Sequence, residues 1–320
     1  MQELISFIDE ALAPLNPRGV AVGLSGGADS WALALLAQDW CSQHNVTFAA
    51  LTVDHRLRVE GAAEAALVQA ECAKRNIPHH TLVWQHDGVD TRKQERARAA
   101  RYDLMGDWCA TNNFSVLMTA HHADDQAETV LLRLCKGSGA AGLAGIAPMR
   151  PLNDTVDLLR PLLPVTKQQL IDYAQAHNVP IVEDPSNHNP AYARARLRAA
   201  RPILELEGLT TGNLLKLAAT AREEQDALRY AADTLLLQQG EETDSSFTLP
   251  AQPWIAAPVA LRRMAFTMIW RRLNKSMGYP PRREEIDDLT SALATPGTKR
   301  TLGGLICAHQ KDKLVFTREA

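Results

Sequence analysis

The sequence predicts an α/β fold, a parallel sheet with helices on both faces, followed by a smaller, mainly helical second domain. Three observations predict it. Short apolar runs alternate with helix-length segments through the first 200 residues or so, the pattern of strands joined by helical crossovers. A glycine-rich turn stands between the first such run and the helix after it. From about residue 193 the alternation gives way to successive helical patterns, which sets domains of 1–205 and 206–320.

Taken in order, GVAVGL (19–24) reads as a buried strand and 31–40 as the helix it feeds. Residues 47–53 form a second strand, 60–75 a helix, 79–83 a third strand and 91–110 a long helix. A fourth strand at 116–119 leads to a helix over about 123–134. GSGAAGLAG (137–145) is too glycine-rich and apolar to be an ordinary linker, so it reads as a loop packed closely against backbone or ligand. A helix at 166–177, a short strand at 180–183 and the turn-rich DPSNHNP follow. Beyond them lie a basic helix, a long helix over 211–239, helices near 258–277 and 283–293, and two or three terminal strands turning at Gly303-Gly304 and Lys311-Asp312.

Composition narrows the class. With 46% apolar and 22% charged residues over 320 positions the chain can bury a sizeable core. Its apolar runs fall short of the roughly 20 uncharged residues of a membrane span, and its first residues carry acids where a signal peptide is basic. Both point to the cytoplasm and away from a membrane. Five scattered cysteines, Cys41, Cys72, Cys109, Cys135 and Cys307, contain no C-x-x-C pair and read as reduced core thiols. The net charge of −3 conceals three basic clusters: Arg92 to Arg101, Arg194 to Arg201, and seven basic residues without an acid from Arg262 to Arg283. Such clusters are solvated helix faces or nucleic-acid contacts, and three in one chain favour the latter.

The densest chemistry lies at two strand ends. In Ser25, Gly26, Gly27, Ala28, Asp29 and Ser30, two glycines let backbone approach a ligand, and the following helix N-terminus favours negative charge. This is a phosphate cradle, but no lysine follows as in G-x-x-x-x-G-K-[ST], which points away from cleavage at a γ-phosphate. Asp29 is placed to hold a magnesium ion against the phosphates. After the fourth strand, AHHADDQAET offers His121, His122, Asp124, Asp125 and Glu128, with the acids spaced three and four apart on one helix face. Ligands in parallel sheets bind at the carboxyl ends of strands, so the two segments should face one crevice. Arg98 and Arg101, three apart, can reach one ligand or lie on the surface, and His121 and His122 read equally as packed or as catalytic.

The turn SGGADS resembles the signature of the PP-loop, or N-type ATP pyrophosphatase, superfamily, whose fold is Rossmann-like. VDHRLR (53–58), QERARAARYDLM (94–105), TAHHADDQAETVLLRLCKGSGAAGLAGI (119–146) and EDPSNHNPAYARARLR (183–198) together resemble the tRNA(Ile)-lysidine synthase family, in the expected order over the first 200 residues. The resemblance implies an ATP-dependent ligase. Such an enzyme adenylates the wobble cytidine of the CAU anticodon of tRNA(Ile) and lets free L-lysine displace AMP, with Mg²⁺ assisting. It further implies Asp29 and Asp125 as catalytic and Mg²⁺-binding carboxylates, Ser25 to Ser30 on the ATP phosphates, and Asp54 and His55 at the adenosine, where a packed loop is the alternative. Arg98, Arg101, Arg194, Arg196 and Arg198 would contact tRNA or phosphate. A homodimer is among the assemblies the sequence allows.

Three features depart from the family pattern. Ala195 and Ala199 replace an asparagine and a histidine, and Lys136 stands where arginine is commoner. Longer members carry a further C-terminal domain, so the chain is expected to resemble the shorter form. Among rivals, a tRNA thiolase would need cluster-binding or sulfur-handling cysteines and a nucleotide synthetase an adjoining glutaminase region. A non-catalytic RNA-binding scaffold would not need Asp29, Asp124, Asp125 and Glu128.

Overall fold

The computed structural model describes residues 2–57, 60–86, 93–182, 193–274 and 280–319. Arg58, Arg92, the 184–190 turn, Lys275 and the last residue of the 180–183 strand lie outside them. The chain divides into two units, Met1–Ala219 and Thr220–Ala320.

The first unit is built on β1 (Gly19–Gly23), whose first four residues are fully buried, as a central strand covered on both faces must be. Val20 and Val22 enter one core with Ile8, Trp31, Leu33 and Leu170, while Ala21 enters another with Tyr102, Met105, Cys109 and Phe114. That split is the two-residue alternation of a strand. The first core is covered by α1 (Gln2–Leu12), α2 (Ala28–His44) and α7 (Lys167–Ala176), and the second by α4 (Lys93–Thr111). Around β1 lie β2 (Thr47–Asp54), β3 (His79–Val83), β4 (Val116–Met118), β5 (Met149–Pro151) and β6 (Asp157–Leu159), with α3 (Glu60–Lys74) crossing from β2 to β3. The sheet order is β3-β2-β1-β4-β6-β5, parallel throughout except for β5. The order reverses direction at β1 and β4, which opens a crevice at their carboxyl ends.

Beyond β4, α5 (Ala123–Cys135) packs Ala127, Val130 and Leu131 against Leu214 and Ala218 of α9 (Thr211–Gln239), with Leu197 of α8 (Ala193–Leu206) alongside. The 137–145 loop contains one helical turn, α6 (Ala140–Leu143), tied down by Arg133, whose Nη1 donates to the carbonyls of Gly142 and Gly145 at 2.7 and 2.8 Å. Residues 180–182 are not a strand; instead Val182 N donates to Gly26 O at 3.0 Å. The fifth and sixth strands are β6 and β5, three residues each and too short to show an alternation.

The second unit joins α10 (Ala251–Ala256), α11 (Val259–Leu273) and α12 (Arg283–Ala292) to an antiparallel sheet. Its strands are β7 (Glu241–Glu242), β8 (Ser246–Pro250), β9 (Lys299–Leu302), β10 (Leu305–Gln310) and β11 (Lys313–Arg318), in the order β7-β8-β11-β10-β9. β8, distant in sequence from the other long strands, places Phe247 and Leu249 in a core with Trp254, Phe266 and Phe316. Four of the five cysteines are buried, as expected; Cys135, at the outward end of α5, is exposed.

Candidate active site

The turn after β1 is set by its neighbours. Gly26 has φ +89°, and a Cβ there would stand 3.0 Å from Val68 Cγ2 and 3.1 Å from Val182 Cγ2, so glycine alone fits. Ser30 Oγ donates to Gly27 O at 2.9 Å and accepts from Ser25 N and Ser25 Oγ at 3.2 Å, closing the loop on the first turn of α2. Underneath, Leu24 N donates to Leu51 O at 2.8 Å and Thr52 Oγ1 donates to Leu24 O at 2.7 Å. With its one proton so used, Thr52 accepts from His79 Nε2 at 2.8 Å. Burial holds His79 below its ordinary value, consistent with a neutral ring protonated at Nε2. The start of α2, where a helix leaves its first N–H groups without intrahelical partners, thus stands on an anchored loop.

Across the crevice, His122 is the residue before α5. Its Nε2 lies 3.5 Å from Asp29 Oδ2 and 3.6 Å from Asp125 Oδ2, and its Nδ1 lies 3.8 Å from Asp124 Oδ2. Burial alone would lower its pKa, but Asp29, Asp125 and Asp124 together raise it. Adjacent His121 has the opposite fate. Burial pushes it down to about 3, Asp125 opposing while Arg160, Arg98 and Arg194 reinforce the shift, and its Nδ1 pairs with Thr119 Oγ1 at 2.9 Å.

The four acids separate into two pairs. Glu128 is held by both arms of Arg198, and Asp124 by Arg201 and by Lys167 N, which donates at 3.0 Å. Burial would raise Asp124, but Lys167 N and Arg201 outweigh it and hold the carboxyl below its usual range. Asp29 and Asp125 are left facing the imidazole. Among the described residues, Asp29 Oδ1 is buried without a hydrogen-bond partner, and the nearest cation paired with Asp125 beyond His122 is Arg194, with Nη1 3.9 Å away.

The expected site residues are therefore partly united. Ser25 to Ser30, Asp29 and Asp125 meet at the switch point, joined by Arg194 and Arg198 at one helical turn apart on α8, while Arg196 between them is exposed. Arg98 and Arg101, expected to serve one ligand, have different neighbours: Arg98 lies over the Tyr102 ring at 5.2 Å, and Arg101 Nε approaches His55 Nε2 at 3.3 Å. Asp54 caps its own turn, accepting from Arg56 N at 2.9 Å, and His55 O accepts from His86 Nε2 at 2.9 Å. Burial first, then Arg101, pushes His55 down to about 4. Arg201 and the bridging place of His122 were not legible beforehand, although both stand inside motifs the sequence singles out. Cys41, Cys72, Cys109 and Cys307 are pushed up to about 12 by burial, so none of these thiols is a nucleophile at neutral pH.

A glycine turn and an acidic helix start, facing each other at the switch point of a parallel sheet, define a PP-loop ATP-binding protein, and the PP-loop domain family matches residues 2–203. A solved U34-tRNA thiolase from Methanococcus maripaludis shares the fold, with a TM-score of 0.57 at 17% identity over 69% of this chain and 79% of that one. Two tRNA(Ile)-lysidine synthases align over nearly the whole chain: that of Ruegeria pomeroyi at 35% identity, covering 99% of this chain and 75% of that protein, and that of Methylobacterium nodulans at 39%, covering 95% and 91%. The chain belongs to the tRNA(Ile)-lysidine synthase family.

Proposed function

We propose that the protein joins free L-lysine to the wobble cytidine of the CAU anticodon of tRNA(Ile), consuming ATP and releasing AMP and pyrophosphate. The observation that carries the ATP chemistry is the facing of Asp29 and Asp125 across His122, beside an anchored anion loop. The names of the relatives supply the substrate class.

In this reading the backbone of Ser25 to Ser30 and the start of α2 take the triphosphate, while Asp54 and His55 flank the adenosine. Asp29 and Asp125 fit a magnesium ion: two carboxylates lean on one imidazole, and a buried Asp29 oxygen lacks a partner among the described residues. Magnesium typically takes one or two carboxylates and completes its shell with phosphate oxygens and water. When bound, it offsets the charge that builds as pyrophosphate leaves. First, O2 of the cytidine bonds to the α-phosphorus and the bond to pyrophosphate breaks. Then the lysine amine bonds to C2 of the base, the C2–O2 bond breaks, AMP departs, and the proton shed by the amine passes to a carboxylate, here Asp125. His122 keeps the paired carboxylates in register before substrates arrive.

Arg98, Arg101, Arg194 and Arg196 serve tRNA or nucleotide phosphates, and Arg198 fixes α8 through Glu128. An unstacked anticodon base suits such a crevice, since RNA is read mainly at single-stranded nucleotides. Residues 1–205 act as the catalytic domain and 206–320 as the tRNA-gripping one. The setting is the cytoplasm, and no helix among the described residues is long and apolar enough to cross a membrane. A homodimer belongs to the same reading and is checked by light scattering. The deciding experiment measures pyrophosphate release from ATP with magnesium, tRNA and each amino acid in turn. Release that requires tRNA, peaks with lysine and adds mass at one anticodon cytidine is expected; release indifferent to tRNA or lysine would overturn the reading.

A further inference from the structure

Three arginines gather round one phenol ring beside the crevice. Arg160 follows β6 directly, at the carboxyl end of the sheet, where Thr119 N donates to Leu159 O at 3.0 Å. It is only 5% exposed, yet among the described residues its Nε has no hydrogen-bond partner, and its Nη1 donates to Ala147 O at 2.7 Å. Arg150, on β5, and Arg98, on α4, lie over the Tyr102 ring at 5.5 and 5.2 Å. Among the described residues none of the three forms an ion pair with a carboxylate; Arg150 Nη1 donates to Pro151 O at 2.9 Å. At His121, Arg160, Arg98 and Arg194 act in one direction and Asp125 of the crevice in the other.

Like charges so placed repel, and a guanidinium stripped of water is costly unless an anion joins it. Burial accordingly lowers the pKa of Arg160, with Tyr102 opposing. Guanidinium groups match the oxygens of an oxyanion such as phosphate in pairs, which makes this arrangement a receptor for an anion and not for a neutral group. We propose that Arg98, Arg150 and Arg160, organised by Tyr102, form a phosphate subsite next to the Asp29–Asp125 crevice. The subsite takes either an RNA backbone phosphate beside the reacting nucleotide or the pyrophosphate end of the nucleotide. The choice of these two sources rests on the function proposed above; the anion site itself does not.

The test is equilibrium binding to the full-length chain of two probes, inorganic pyrophosphate and a short single-stranded oligoribonucleotide, by titration calorimetry. The wild type is compared with Arg150→Ala, Arg98→Ala and Arg160→Lys, and a thermal melt of each confirms folding. Arg150 and Arg98 are exposed, so their variants keep the test sound if the buried substitution fails to fold. A tenfold or greater loss of oligoribonucleotide affinity, with the salt slope reduced by about 0.7 per lost contact, assigns the site to RNA backbone. A comparable loss confined to pyrophosphate assigns it to the nucleotide. A wild type that binds neither probe, or exposed-residue variants that hold both affinities within twofold, overturns the proposal and leaves Arg160 a structural tie. Turnover indifferent to lysine would defeat the function proposed above while leaving these affinities standing, so the two failures are distinguishable.

Discussion

The Nε2 of His122 lies 3.5 Å from Asp29 Oδ2, joining the residue before α5 to the first turn of α2 across the crevice between β1 and β4. Through this contact the glycine turn and the acidic block become one site. It also gathers the two carboxylates that no arginine among the described residues claims closely, since Arg198 and Arg201 hold Glu128 and Asp124.

Asp29→Asn and Asp125→Asn should each lower kcat by about 1,000-fold, the scale of losing a charged group aimed at a transition state. Affinity for tRNA should stay within about twofold. Pyrophosphate release and tRNA binding, measured on the same folded samples, check this; loss of both together would remove the roles given to these residues.

Gly26→Ala should strain the loop. At φ +89°, with Val68 and Val182 already 3.0 and 3.1 Å from the new methyl position, the cost is about 1–2 kcal/mol or more. A lower melting temperature and a raised KM for ATP are expected, with KM for lysine unchanged.

Arg198→Ala should destabilise the first unit by about 2 kcal/mol, because it strands the Glu128 carboxylate, whose side chain is only 10% exposed. Adding Glu128→Gln to that variant should restore part of the loss. Urea unfolding of the wild type, both single variants and the double variant gives the coupling directly.

Acid should weaken the fold through its neutral histidines. His55 is pushed down to about 4 and His121 to about 3, burial being the main cause of each. An unfolded histidine titrates near pH 6.5, so on acidification the unfolded chain takes up protons first. The stability these two residues contribute is present above about pH 6.5 and falls as pH drops through 6 and 5 towards 4. His122, whose value is raised, works in the opposite sense. Urea midpoints at pH 7, 6 and 5 should decline, and His55→Gln should make that decline shallower.

The basic stretch from Arg262 to Arg283 should divide in function. Arg263 forms a two-armed pair with Asp287 at 2.6 and 2.8 Å, and Arg272 reaches Asp233 at 3.0 Å, whereas Arg271 is exposed. Arg263→Ala should cost about 1 kcal/mol of stability. Arg271→Ala should instead weaken tRNA binding and reduce its salt slope. Equal salt slopes for wild type and Arg271→Ala would assign the whole stretch to structure.

Much of the fold was legible in the chain because β1, β2 and β4 are near-continuous apolar runs, each closely followed by a turn or a helix start. The crevice followed from two motifs at neighbouring strand ends. Less legible were β5 and β6, too short for a period, and β8, whose partner β11 lies far along the chain. The expected strand at 180–183 was a local apolar signal overridden by packing: Val182 lies against Gly26 and gives its N–H to that loop.

The sequence by itself determined the glycine turn, the acids and arginines available, and the sheet that carries them, because glycine turns and strand periodicity are local properties of the chain. Only the tertiary structure decided which acid meets which base. Asp124, Asp125 and Glu128 share one helical face and are chemically alike in the chain. Arg201 and Arg198, arriving on α8 some 70 residues later, hold Asp124 and Glu128. Asp125 is left opposite Asp29, since charge pairing depends on distances in space that no local pattern encodes.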